Sequence, residues 1–519
     1  MSIASSTPPS FHRRPRLRAV PDVAPPVTLT APDAVSSPDA RAAARSGHPA
    51  TRHTASTTAD AVAPASARRR HRVTHHAALG RELPAVVRPD LVPTLSGDWV
   101  DYANLDHGAS TPALERVARA VAEATRTYSS VHRGTGWLSR VTSAHYEAAR
   151  DEVARFVGAR EDDVVVFTRN TTDSVNLLAR SLPRDTSVVV FSSEHHATLL
   201  PWSRRDTVRL PVPGSARDAE VLLDEALAAL PEGTIRRPRQ ALVVLTAASN
   251  VTGEIWPVDR LVAVARRHGA RVLLDAAQYA AHRTVDLGAL DVDWVAFSGH
   301  KVHAPFGTGV LAGRRDWLDA ARPYLAGGGA TAEVTERGTR WATGPARHEA
   351  GSPNVLGAVA LAAACATIRE HRAAIEQHEA LVTARLVDGL RALDGVTTYS
   401  LFGDDHDRGP VVTFTVDGLD SHLVAAALSA EHGIGVRAGK FCAHLLVDAL
   451  LEDDVDDEPH ATAVRVSAGL ATTPEHVERL LAAVAVLAAE GPGTDYVEVP
   501  GSGWVPVDDT RELDVPLPW

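Results

Sequence analysis

Residues 270–314 read ARVLLDAAQYAAHRTVDLGALDVDWVAFSGHKVHAPFGTGVLAGR. Three runs inside this stretch, ARVLLDAAQ, VDWVAFSGHK and GTGVLAGR, are short, rich in Val, Leu and Phe, and of strand length. Upstream, DDVVVFT (162–168), SVVVFSS (187–193) and QALVVLTAAS (240–249) repeat the pattern. Helix-length amphipathic segments such as TTDSVNLLARSL (171–182) and PVDRLVAVARRHG (257–269) lie between them. Strands that are apolar almost throughout, alternating with helices, predict a mostly parallel sheet covered on both faces. The expected fold class is therefore α/β, with a large domain over residues 115–360.

A long Ala-rich helix from Val355 connects this domain to a second region. There PVVTFTVDG and AVRVSAGL read as strands, and DSHLVAAALSAEHG and TPEHVERLLAAVAVLAAE as helices. The expectation is a smaller α+β domain over residues 361–491 with an antiparallel or mixed sheet, joined by the segment 94–114. Residues 492–519 form a Pro/Gly-punctuated C-terminal tail whose role the sequence does not reveal. Residues 1–93 are Pro, Ala, Ser, Thr and Arg without strand or helix period, and are expected to be a disordered basic extension because they bury too little to offset chain entropy.

The net charge of -11 is unevenly spread: residues 1–90 carry 13 arginines against 6 acidic groups, leaving 40 basic against 58 acidic in the remainder. The basic extension has almost no aromatic residues and no periodic apolar face, so no nucleic-acid partner is expected. No apolar run is long enough to span a bilayer, and the arginine-containing N-terminus lacks a signal-peptide h-region. With only two cysteines, no disulfide framework suggests itself, and a cytoplasmic location with two thiols is expected.

In open parallel sheets ligands collect beyond the carboxyl ends of the strands. Asp275 ends one apolar strand; a carboxylate there is costly to desolvate unless donors or a cation meet it. Ser298, His300 and Lys301 follow another strand. Thr171 and Thr172 stand at an expected helix N-terminus, where free N–H groups and hydroxyls can hold a phosphate. His195 and His196 follow a third strand, but no third ligand at a metal-binding spacing accompanies them, so no metal is expected. An amine, a buried anion and a phosphate cradle together suit pyridoxal 5'-phosphate: the lysine condenses with its aldehyde, the carboxylate keeps its pyridine nitrogen protonated, and the cradle holds its phosphate.

The ordered series NLDHGAST, HRGTG, TRNTTDSVN, EHHATLLPW, ASNVTGEIWPV, DAAQ, FSGHK, GTG, HEAGSPN and VRVSAGLATTPEHVERLL resembles the class V aminotransferase family, which has the PLP-dependent transferase fold type I. Within it the series is most similar to the group II, SufS-like cysteine desulfurases and selenocysteine lyases. The resemblance covers about four-fifths of the chain. It implies that Lys301 carries the cofactor, Asp275 pairs with its pyridine nitrogen, Gln278 bonds its phenolic oxygen and His195 stacks on its ring. It further implies that Asn250 sits near substrate and cofactor, and that Thr171, Thr172, Ser298 and His300 hold the phosphate. Relatives are homodimers with sites at the subunit boundary, which implies that His132, Arg133 and the GGGAT loop ending in Thr331 reach the partner's site.

Cys365 lies in an Ala-rich apolar helix, where a thiol acts as a small hydrophobe. Cys442 lies among glycines with Arg437, Lys440 and His444 nearby, and positive charge raises the thiolate fraction. The segment RAGKFCA (437–443) is similar to the one that carries the nucleophilic cysteine in SufS-like enzymes. The resemblance implies removal of sulfur from L-cysteine as a persulfide on Cys442, release of L-alanine, and later passage of sulfur to an acceptor protein. Arg465, with Arg437 nearby, is expected to clamp the substrate carboxylate. Two departures stand out: Lys440-Phe441 replaces a histidine pair, and LLEDDVDDEPHAT downstream is long and acidic. They leave open the alternative of a class V aminotransferase or C-S lyase of secondary metabolism acting on another amino acid.

Overall fold

A computed structural model describes residues 83–88, 91–202, 205–231, 240–452, 462–511 and 517. The main sheet is built from β1 (Asp163–Thr168), β2 (Thr186–Phe191), β3 (Asp206–Leu210), β4 (Gln240–Thr246), β5 (Arg271–Asp275), β6 (Trp294–Ser298) and β7 (Gly309–Arg314). Its strand order is β1-β7-β6-β5-β4-β2-β3. The pairings β6/β5, β5/β4, β4/β2 and β2/β3 are parallel, whereas β7 runs antiparallel to both β6 and β1. β2 and β6 are buried at every position. That explains why they read as unbroken apolar runs: helices cover both faces, so no residue of these strands meets water.

A second sheet has β8 (Val396–Thr398), β9 (Val411–Val416), β10 (Arg437–Gly439) and β11 (Ala463–Ser467) in the order β8-β9-β11-β10, every pairing antiparallel. The 37-residue helix Val355–Arg391 serves both sheets. Its first half buries Leu361, Cys365 and Ile368 in the main-sheet core, and its second half buries Val382, Leu386 and Leu390 in the core of the second sheet. The expected boundary at 360/361 thus falls inside one continuous helix. Ala103–Asn104 pairs in parallel with Ile434–Gly435, and Leu105 is buried in the second core.

The extension expected to reach residue 93 is shorter than that. Val86 is buried, bridges Leu114 and packs in the main core, and Val92–Pro93 pairs with Trp99–Val100. Leu83 and Val86 pack at the main core while Val92 pairs with Val100, apolar side chains that the surrounding composition hides. The expected disorder of residues 1–82 lies outside the described residues. At the other end, the tail contains a hairpin of Tyr496–Val499 and Gly503–Pro506. It is tied to the Ser421–His432 helix by Tyr496 OH donating to Glu431 (2.9 Å) and Trp504 Nε1 donating to Asp420 (2.9 Å). Among the described residues, no helix is long and apolar enough to cross a membrane.

Candidate active site

A cleft of about 280 Å³ opens at the carboxyl ends of β4, β5 and β6. Thr171, Thr172, His195, Asn250, Asp275, Gln278, Ser298, His300, Lys301, Arg437, Cys442 and Arg465 all line it, together with Gly108, Ala109, Thr246 and Phe441. Residues up to 357 positions apart in sequence, Gly108 and Arg465, converge here because strand ends of the main sheet meet β10, β11 and the turn after β10. His132, Arg133 and Thr331 lie outside this cleft. Arg133 packs beside Gly329 in the loop before Thr331, His132 bonds Glu147 (2.8 Å), and Thr331 begins an exposed hairpin that returns through Gly338–Trp341.

On the main-sheet side, Asn170 caps the Thr171–Ser181 helix by accepting the Asp173 N–H. The helix start sits hard against β7, where a Cβ at Gly309 would lie 2.5 Å from the Asn170 backbone, so only glycine permits this approach. The Thr171 N–H and hydroxyl both meet Ser298 Oγ, at 2.8 and 2.7 Å. Lys301 closes a short 3-10 turn, Gly299–Lys301, directly after β6. Asp275 Oδ1 accepts the Ala277 N–H (2.8 Å), and Gln278 Nε2 donates to the Gly108 carbonyl (2.7 Å).

These groups titrate far from their ordinary ranges because water is largely excluded. Desolvation brings the Lys301 ammonium down to about 8, with Asp275 acting in the opposite direction. Burial raises the Asp275 carboxyl, against the Ala277 N–H and the Lys301 charge. Burial and then the Lys301 charge lower His195 to about 3, so its ring is neutral. Its Nδ1 accepts the Ala197 N–H (3.0 Å), which leaves the ring proton on Nε2. Glu194, fully buried behind it, rises to about 8, first through burial and then through Asp275.

The opposite wall is organised by arginines. Arg465 is 2% exposed, and its guanidinium donates to Asp106 Oδ1 (2.8 Å) and to the Asn250 carbonyl (3.0 Å). It lies 5.3 Å from the Phe441 ring centroid, a cation–π arrangement. Its Nε has no hydrogen-bond partner among the described residues. Arg437 Nε donates to Asp106 Oδ2 at 3.1 Å. Cys442 is exposed, and both it and Phe441 take left-handed backbone angles, φ +56° and +51°. Non-glycine residues resist that conformation; here Asn250 Nδ2 donates to the Phe441 carbonyl and the His196 N–H to the Cys442 carbonyl, each at 2.8 Å, which pins the turn. Lys440, expected to add positive charge near the thiol, pairs with Asp448 at 2.5 Å. Cys365 is fully buried, and burial pushes its thiol well above the ordinary range.

The sequence does not mark Asp106, Glu194 or Phe441 as site residues. Asp106 had one signal, a lone carboxylate following the buried Leu105 in NLDHGAST. No groups of His, Cys, Asp or Glu among the described residues are placed to hold a metal ion.

A mostly parallel sheet with a lysine and an aspartate at neighbouring strand ends, closed by an arginine-bearing antiparallel sheet, defines an α/β enzyme cleft. Residues 103–480 match the family Aminotransferase class-V. A probable cysteine desulfurase of Vibrio cholerae is 33% identical over 76% of this chain and 95% of its own length. A cysteine desulfurase of Klebsiella pneumoniae is 35% identical over 73% of this chain and 92% of its own. Among solved structures, the apo cysteine desulfurase of Thermococcus onnurineus superposes with a TM-score of 0.65 at 32% identity, covering 75% of this chain and 94% of that one. The chain belongs to the class-V aminotransferase family, on its cysteine desulfurase branch.

Proposed function

We propose that this enzyme removes sulfur from L-cysteine as a persulfide on Cys442 and releases L-alanine, using pyridoxal 5'-phosphate. The observation that carries the reading is the placement of an exposed thiol, Cys442, on the same cleft as the desolvated Lys301–Asp275 pair. The residues fit the cofactor. Lys301 offers an amine with a lowered pKa, Asp275 a buried carboxylate, and Thr171, Thr172, Ser298 and His300 hydroxyl, ring and N–H donors beside a helix N-terminus. Neutral His195 offers a ring face and Gln278 an amide. When bound, the cofactor supplies an electron sink for bonds at the α and β carbons of an amino acid.

The chain's own groups then have distinct tasks. Arg465 orients the substrate carboxylate, with Arg437 and Asn250 beside it on the cleft. Lys301 Nζ moves the α-proton, its pKa near 8 placing it close to neutrality for both roles of acid and base. Cys442 Sγ, as thiolate, forms a bond to the substrate sulfur while the carbon–sulfur bond breaks and its electron pair remains on carbon, where a proton completes alanine. Thiolate, cysteine and one proton thus give persulfide and alanine. The pinned turn around Phe441 and Cys442 holds the thiol at the mouth of the cleft, from which an acceptor protein takes the sulfur.

We further propose a cytoplasmic homodimer in which His132, Arg133 and Thr331 face the partner's cleft. Exposed Trp137, Leu138, Leu325 and Val334 near these residues support an unpaired face of this kind. We also propose a domain about the main sheet (115–360) and one about the second sheet (361–491), joined by the Val355–Arg391 helix, which contributes to both cores. The function is tested by mass spectrometry of the protein after L-cysteine without reductant: the peptide with Cys442 gains one sulfur atom. A sulfur found only on Cys365, or on neither, contradicts the reading.

A further inference from the structure

Arg437 and Arg465 are direct partners across the antiparallel β10/β11 ladder. Like charges directly opposite on a sheet repel, and Arg465 is almost wholly buried, where an unpaired charge is expensive. The structure meets both costs with one side chain, Asp106: Oδ1 accepts from Arg465 at 2.8 Å, and Arg437 Nε donates to Oδ2 at 3.1 Å and to Oδ1 at 3.4 Å. The carboxylate is itself held from a fixed backbone. Asp106 N–H donates to Asn104 Oδ1 (3.1 Å), the His107 N–H to the Ser467 carbonyl (3.1 Å) and the Gly108 N–H to Ser467 Oγ (2.8 Å). Two guanidinium charges against one carboxylate leave a single positive charge on this wall, matching one incoming carboxylate.

We infer that Asp106 is a positioning and specificity residue: it holds both arginines in place and restricts the cleft to amino acids with one carboxylate. The inference deepens the reading of the site as an amino-acid cleft and rests on it. Without the Asp106 charge the wall would carry two positive charges, and an amino acid with a second carboxylate in its side chain would be favoured. Arg437, about half exposed at the side chain, is the group that would receive that second carboxylate.

The test uses the cofactor-loaded full chain and measures, by calorimetry, dissociation constants of L-alanine and L-aspartate. Asp106→Asn is expected to shift the aspartate-to-alanine affinity ratio toward aspartate by tenfold or more, and Asp106→Glu to keep the wild-type preference for alanine. Adding Arg437→Gln to Asp106→Asn restores one net positive charge and is expected to return the ratio to near the wild-type value. A ratio that moves less than twofold in Asp106→Asn, or that Arg437→Gln does not restore, overturns the inference. If Asp106→Asn fails to fold, recovery of folding in the double variant supports the charge account, and failure of both overturns it. Wild-type protein that binds neither amino acid overturns the inference, and its sulfide release from L-cysteine then decides whether the desulfurase reading falls with it.

Discussion

On the main-sheet wall of the cleft, Asp275, His195 and Lys301 stand at strand ends in a desolvated setting with Glu194 buried behind them, and burial is the first cause of every shift in their titration. On the second-sheet wall, Arg437 and Arg465 share Asp106, and Lys440 holds Asp448. On the first wall burial shifts titration where protons are to move, with Lys301 and Asp275 offsetting one another; on the second, ion pairs hold the arginines where a substrate is to be oriented. Proton-moving groups and carboxylate-binding groups thereby stand on different walls of the cleft, and the exposed thiol of Cys442 lies on the turn after β10.

Changing the first wall is expected to have the larger effect. Lys301→Ala should lower alanine release by roughly 10⁴-fold or more, at the upper end of what positioned acid–base groups contribute, and should remove the absorbance band of lysine-bound cofactor. Retention of that band would break the comparison at its root. Next comes acid stability. His107 and His303, buried behind the cleft with rings 6.3 Å apart, are lowered by burial to about 3 and about 4. Both ring nitrogens of His107 are without a hydrogen-bond partner among the described residues. In the unfolded chain these rings protonate below 6.5, so the stability of holding them neutral is full above pH 6.5 and is lost as pH falls toward 3–4. Each contributes about 1.4 kcal/mol per pH unit over that window. Glu194 acts in the opposite sense, its contribution fading as pH rises through about 8. Denaturant midpoints measured from pH 7 to 4 should fall, and less steeply in His107→Leu; an unchanged slope in the variant removes His107 from the account. The smallest effect belongs to the second wall: Lys440→Ala breaks a partly exposed pair and should cost less than about 1 kcal/mol, with alanine release within about twofold of wild type. A larger loss of activity would show that Lys440 serves the thiol as well as Asp448.

Asp275 and Lys301 could be read from sequence because a polar group ending an apolar strand is conspicuous wherever the chain goes next. The direction of β7 could not, since an apolar run does not record which way it crosses the sheet, and Gly309 acquires its meaning only once Asn170 is against it. Asp106 stayed hidden for a related reason: its arginine partners are 331 and 359 positions away. Phe441 was visible as a departure from the family pattern, but its packing under Arg465 depends on the left-handed turn that Asn250 and His196 hold.

The most direct measurement is release of alanine and sulfide from L-cysteine with a reductant present, comparing wild type with Cys442→Ala. The account predicts turnover by the wild type and its loss in the variant, with bound-cofactor absorbance unchanged in both. Equal turnover by the two proteins, or none by either, would contradict the assignment of Cys442 as the group that takes the sulfur.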